Sequence, residues 1–233
     1  MTIGFSDRIA HALAFAAKHG HPRPMTGGAG TWPTAPANVA VILSRHGVEE
    51  PGIVAGILRP VVNDAEAGRQ RELLAKVEAK FGVRVGQVLA QVLEPRFDNR
   101  GKPRGWEASR MELLAGLTSA EPCALEVLAA QEIYACGALL TDVRRLGPEY
   151  LSSYAPGGAP TLRWWFGAVV DVLARHPVGP RPPLLAELRG LSERLIDSLD
   201  EWCSAGAVWL ATSPCPPPSA FPLSPSTGRA AAP

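Results

Sequence analysis

Residues able to ligate a metal, activate water or grip an anion gather at few places in this sequence, and their spacing there limits what they can do. At Ile57-Leu58-Arg59-Pro60-Val61-Val62-Asn63-Asp64 an apolar run ends in a guanidinium, an imino acid, an amide and one carboxylate. That is the outline of a metal-binding helix end, but Arg59 and Pro60 cannot ligate, and Asn63 cannot act as a general base at neutral pH. Asp64 alone keeps an acid. Five histidines are present, His11, His19, His21, His46 and His176. His19 and His21 can reach one ligand from a turn, yet no third donor accompanies them, and metal sites are built from three or four. The cysteines Cys123, Cys136, Cys203 and Cys215 form no Cys-x-x-Cys pair, which removes the zinc and dithiol signatures and predicts reduced thiols.

For anion chemistry the candidate is Arg23, in the glycine- and proline-dense segment His21 to Gly30, with Lys18 and His19 just ahead of it. Two readings stand: an anion-holding loop, or solvated loop cations. The glycines Gly27 to Gly30 lack the Lys-Ser/Thr ending and preceding strand of a phosphate-binding loop, and no serine sits in a nucleophile elbow. Trp164-Trp165-Phe166 reads as core packing, with Trp165 and Val169 inward and Trp164 partly exposed. Asp142, Arg144 and Arg145 read as a charge cluster at a helix end that caps it or forms surface pairs worth little.

The elements that position these groups are helices. Ser6 caps the first, whose apolar positions Ile9, Leu13 and Ala16/Ala17 recur at helical spacing, with Phe5 placed as a hydrophobic staple and Gly20 as the stop. Pro36 opens a second, Val39 to Arg45 continues it, and Gly47 ends it. A third is predicted over Pro51 to Leu58, broken ahead of Pro60 because proline lacks the next hydrogen bond donor and restricts the residue before it. Further helices are predicted over Arg69–Phe81, Val83–Leu93, Pro122–Leu146 with Gly137 as a weak point, Thr161–His176, and Leu184 to about Ser204, with a polar loop from Glu94 to Trp106. Strand signals are almost absent, so the fold expected is an all-α bundle of about eight to ten helices. It should occupy residues 1–205. In the tail, 206–233, seven of the 20 residues from Pro214 to Pro233 are proline; that composition predicts disorder, or a proline-rich ligand for a recognition domain.

Charge excludes some classes of partner. The sequence has 23 Lys+Arg against 22 Asp+Glu, a formal charge of +1, and shows no basic stripe for nucleic acid. Met1 to Gly20 carries Asp7, Arg8 and Lys18 through its apolar positions, and no uninterrupted apolar run reaches membrane-spanning length, so neither signal peptide nor membrane helix is expected and a cytoplasmic location is.

Four segments also stand in a telling order: Ala14-Phe15-Ala16-Ala17-Lys18-His19 with the Arg23 loop; Gly30-Thr31-Trp32-Pro33-Thr34-Ala35-Pro36-Ala37-Asn38-Val39-Ala40-Val41-Ile42-Leu43; Ala55 to Asp64; and Ala138 to Leu146, ending Asp142-Val143-Arg144-Arg145-Leu146. In order and spacing they resemble the HD-domain phosphohydrolases, specifically the small hydrolase branch related to the RelA/SpoT alarmone enzymes. The resemblance implies an HD-like helical bundle in which a His, a His-Asp pair and a late Asp hold one divalent ion, commonly manganese. Those positions fall on Ala35, on Arg59 and Pro60, and on Ala138, with Cys136 the neighbour if the register slips. The family's catalytic Glu falls on Asn63 and the Asp after it on Asp64. None of the metal positions can ligate, and a guanidinium among them repels a cation.

The reading that follows is a degenerate HD protein without metal or cofactor, binding a nucleotide-like or other small ligand through Arg23, Lys18, His19, Arg59 and Asp64, or binding a protein partner. Arg59 is expected to replace the metal electrostatically by pairing with Asp64 and pinning the helix end. The alternative is an active phosphohydrolase of guanosine alarmones or related nucleotides using Mn2+, or a relative recruited to metal-free chemistry.

Overall fold

The computed structural model describes residues 5–20, 34–147 and 149–212, with side chains to Trp202. Ten helices account for most of it: α1 Asp7–His19, α2 Thr34–Arg45, α3 Glu50–Asn63, α4 Ala67–Phe81, α5 Val83–Val92, α6 Trp106–Leu117, α7 Pro122–Leu146, α8 Tyr150–Tyr154, α9 Ala159–Arg175 and α10 Pro182–Thr212. Among the described residues the β pairing is limited to an isolated antiparallel bridge, Phe97 to Pro103. The all-α expectation holds.

Local chemistry sets most of the ends. Ser6 accepts from Ile9 N and α1 stops at Gly20, but Phe5 is 74% exposed and makes no staple. Gly82 turns the chain between α4 and α5 at φ +96°, a value that a side chain resists. The 94–105 loop is a rigid hairpin, with Asp98 N donating to Lys102 O, Arg104 N to Arg96 O, and Asp98 Oδ1 accepting from Arg100 N and Lys102 N.

The core runs along α3 and α7. α3 buries Ile53, Val54, Ile57, Leu58, Val61 and Val62 and packs against α1, α2, α4, α5 and α7, while α7 also meets α2, α5, α8, α9 and α10. By length and composition α7 could cross a membrane, because its hydropathy is high on average although no run is uninterrupted; 78% of that window is buried within the protein. It is a core helix. α7 also continues unbroken through Gly137, and α10 runs past residue 205 to Thr212. The tail from 213 on lies outside the described residues.

Candidate functional site

Pro60 lies inside α3, which continues to Asn63; the predicted break at Leu58 does not occur. The physical reason is a substituted hydrogen bond. A residue at position 60 would ordinarily donate its N–H to Gly56 O, and proline has none. The side chain of Gln131, buried on α7, donates Nε2 to Gly56 O at 2.9 Å instead.

The expected Arg59–Asp64 pair does not form. Five residues of helix rotate the two side chains about 140° apart, so they leave α3 on different sides. Arg59 Nε donates to Val92 O at the end of α5 at 2.8 Å, whereas Asp64 faces Arg96 of the hairpin at 3.6 Å. Arg96 also donates to Asn63 O at 2.9 Å, and Asn63 Oδ1 accepts from Glu94 N at 2.8 Å. Asn63, which occupies the catalytic position implied by the resemblance, has its acceptor committed to the backbone.

Behind Arg59 is a cluster that sequence reading missed. Burial lowers the pKa of Arg59 from its ordinary value, opposed by the fields of Glu132 and Glu94 and reinforced by that of Arg110; a guanidinium still keeps its proton at neutral pH. Glu132, buried on α7, accepts from Trp165 Nε1 at 2.8 Å. Arg110 of α6 lies between two indoles, 4.3 Å from the Trp106 centroid and 4.1 Å from that of Trp165, and its Nε is shielded from solvent without a hydrogen bond partner. Burial and the field of Glu132, opposed by that of Arg110, raise the pKa of the Tyr154 hydroxyl. The one sequence signal for this cluster was Glu132 itself, a charge inside an apolar stretch of α7.

The remaining predicted positions separate. Ala35 lies in the first turn of α2, half-buried. Ala138 lines a cavity of about 360 Å³ walled by Thr34, Asn38, Tyr134, Thr141 and Glu187 among others, whose lining includes neither Arg59 nor Pro60. Glu187 there meets His46 Nε2 at 2.6 Å. Cys136, the alternative register, is buried against Ser192, and burial pushes its thiol up to about 12, so it stays protonated and is no thiolate ligand. Asp142 is no surface cap: it is 2% exposed, with Oδ1 unpartnered, while Arg144 and Arg145 are exposed.

Lys18 and His19 end α1. The His19 ring packs 4.3 Å from that of Phe15, and burial together with the fields of Lys18, Lys76, Arg69 and Lys80 lowers its pKa. His21 and Arg23 lie outside the described residues. The donor set does not fit a divalent ion: alanine, arginine, proline and alanine stand at the implied ligand positions, and among the described residues no three His, Cys, Asp or Glu gather as a metal site.

No family model matches the sequence, and no curated protein does. Solved structures do. The crystal structure of the Listeria monocytogenes EGD-e protein lmo0812 aligns with TM-score 0.57 and 21% identity over 70% of this chain and 99% of that one. A metazoan ortholog of SpoT, described as hydrolysing ppGpp with a role in starvation responses, aligns with TM-score 0.63 and 18% identity over 83% of this chain and 98% of its own. With the ten helices of its described residues in that arrangement, the chain has the all-α fold of the HD-domain, RelA/SpoT hydrolase-like proteins.

Proposed function

We propose that this chain is a metal-free HD-fold protein, a pseudo-hydrolase that binds a phosphate-bearing small ligand. The observation that carries the reading is the state of positions 59 and 60. Pro60 is accommodated in an unbroken α3 by a dedicated side chain, Gln131. Arg59 spends only its Nε, on Val92 O, and among the described residues its two terminal nitrogens make no hydrogen bond. A half-buried guanidinium with free N–H groups suits an oxyanion and disfavours a metal ion. A cytoplasmic setting goes with the reading, since Cys123 and Cys136 are free thiols.

The test uses purified full-length protein incubated with manganese, assayed for bound metal and for pyrophosphate release from ppGpp, the substrate named for the metazoan ortholog. The expected result is neither stoichiometric manganese nor release, with a thermal shift on adding GDP that is lost in Arg59→Gln. Stoichiometric manganese together with release would overturn the proposal in favour of an active phosphohydrolase. A GDP shift that survives both Arg59→Gln and Arg23→Ala would remove these arginines from the site.

A further inference from the structure

We infer that the groove between the first two turns of α4 and the 94–105 hairpin is a second binding site, for a small organic acid with an apolar body. The groove has a volume of about 510 Å³, within the range of small-molecule sites, roughly 300–1,000 Å³. Its α4 wall is Ala67, Gln70, Arg71 and Leu74, spaced i, i+3, i+4, i+7 so that they form one stripe. The opposite wall is the hairpin, fixed in shape by its own hydrogen bonds. Gly101, at φ +77°, brings the hairpin close to α4: a Cβ there would lie 3.8 Å from that of Ala67.

The lining sorts into a floor and a charged edge. Leu74, Leu93 and Phe97 supply apolar surface. Arg71 is exposed and, among the described residues, makes no ion pair or hydrogen bond. Beside it the Gln70 Nε2 is shut off from solvent and has no partner; a donor left in that state is costly, about 1–3 kcal/mol. Rotated into the adjoining groove, the amide donates to water in the free protein and to an acceptor of a bound molecule when one is present. The carboxylate at the edge, Asp98, has Oδ1 committed to the N–H groups of Arg100 and Lys102. A carboxylate on Arg71 and Gln70 with its hydrocarbon on Leu74 and Phe97 pairs the free guanidinium and the shut-off amide donor, while Asp98 Oδ2 and Asn99 stay on the opposite wall. None of these residues belongs to the Arg59 cluster, so the inference stands apart from the proposed function.

The test is two-dimensional 15N–1H NMR of the full chain titrated with 3-phenylpropionate and, separately, with its uncharged amide. Saturable shifts of the Gly68, Asn99 and Gly101 amides are expected with the acid, at least tenfold weaker for the amide. Arg71→Gln, at an exposed position, should weaken the acid at least tenfold, and Phe97→Ala should weaken acid and amide alike. No saturable shift at these amides, equal affinity for acid and amide, or undiminished binding by Arg71→Gln would each overturn the inference.

Discussion

Gln131 and Pro60 are two residues far apart in sequence that make sense only together. Proline inside a helix leaves the carbonyl four residues back without its donor, and here the Gln131 amide supplies one to Gly56 O. Gln131→Leu should therefore destabilise the protein by about 1–3 kcal/mol in urea denaturation, the range for orphaning a buried acceptor. Pro60→Ala restores a backbone N–H, and in that background the same change should cost less, a coupling of about 1 kcal/mol that a double-mutant cycle reads. Equal costs in the two backgrounds would refute the compensation. His19 gives a pH signature. Its folded pKa lies below the ordinary value near 6.5 because burial and four cations disfavour the imidazolium. The unfolded chain then binds the proton more readily, so folding is penalised on the acid side and the penalty vanishes as pH rises past 6.5. Relative to His19→Gln, the wild type should lose urea stability as pH falls from 7 toward 5. A constant difference across that window would show that His19 is unperturbed.

Between elements, the end of α3 and the hairpin form one unit. Arg96 reaches both Asn63 O and Asp64, and Asn63 Oδ1 takes Glu94 N. Arg96→Ala removes two of those links from a partly exposed site, for which about 1 kcal/mol is the scale. Its effect should be local: amide exchange should speed up at Asp98, Gly101 and Lys102 while α7 keeps its protection. Faster exchange throughout the core would mean that the hairpin supports the whole fold. The elements were unevenly legible in sequence. Ser6, Gly20, Gly47 and Gly82 mark helix ends through capping and turn chemistry, and the structure ends helices there. α6 escaped because its apolar residues do not keep to one face, Met111 being exposed while Leu113, Leu114 and Leu117 are buried, and α8 is five residues long. The Pro60 break was mispredicted because the donor that offsets it comes from α7, which local sequence cannot show.

At the scale of the molecule, the order of helices and the location of the core could be read from periodicity, whereas the site could be read only as a set of absences. Ala35, Arg59, Pro60 and Ala138 were recognisable as positions, but the Glu132–Trp165–Arg110 cluster depends on how α6, α7 and α9 meet. α7 decides this, since it touches α2, α3, α5, α8, α9 and α10. If α7 is the common wall of one core, a cavity cut into it must weaken every layer at once. Leu128, fully buried on α7, is the place to cut. Leu128→Ala should cost about 2–5 kcal/mol, and circular dichroism and tryptophan fluorescence should report the same urea midpoint, because Trp165 is held to α7 through Glu132 and Trp106 and Trp164 pack against Trp165. Val41 of α2, which is 54% exposed, is the control: Val41→Ala should stay within about 0.5 kcal/mol of wild type. If Leu128→Ala instead separated the two probes, with helicity surviving after the indoles lost their environment, α7 would divide two cores, and the packing that joins Arg59 to Arg110 would be less stable than the fold around it.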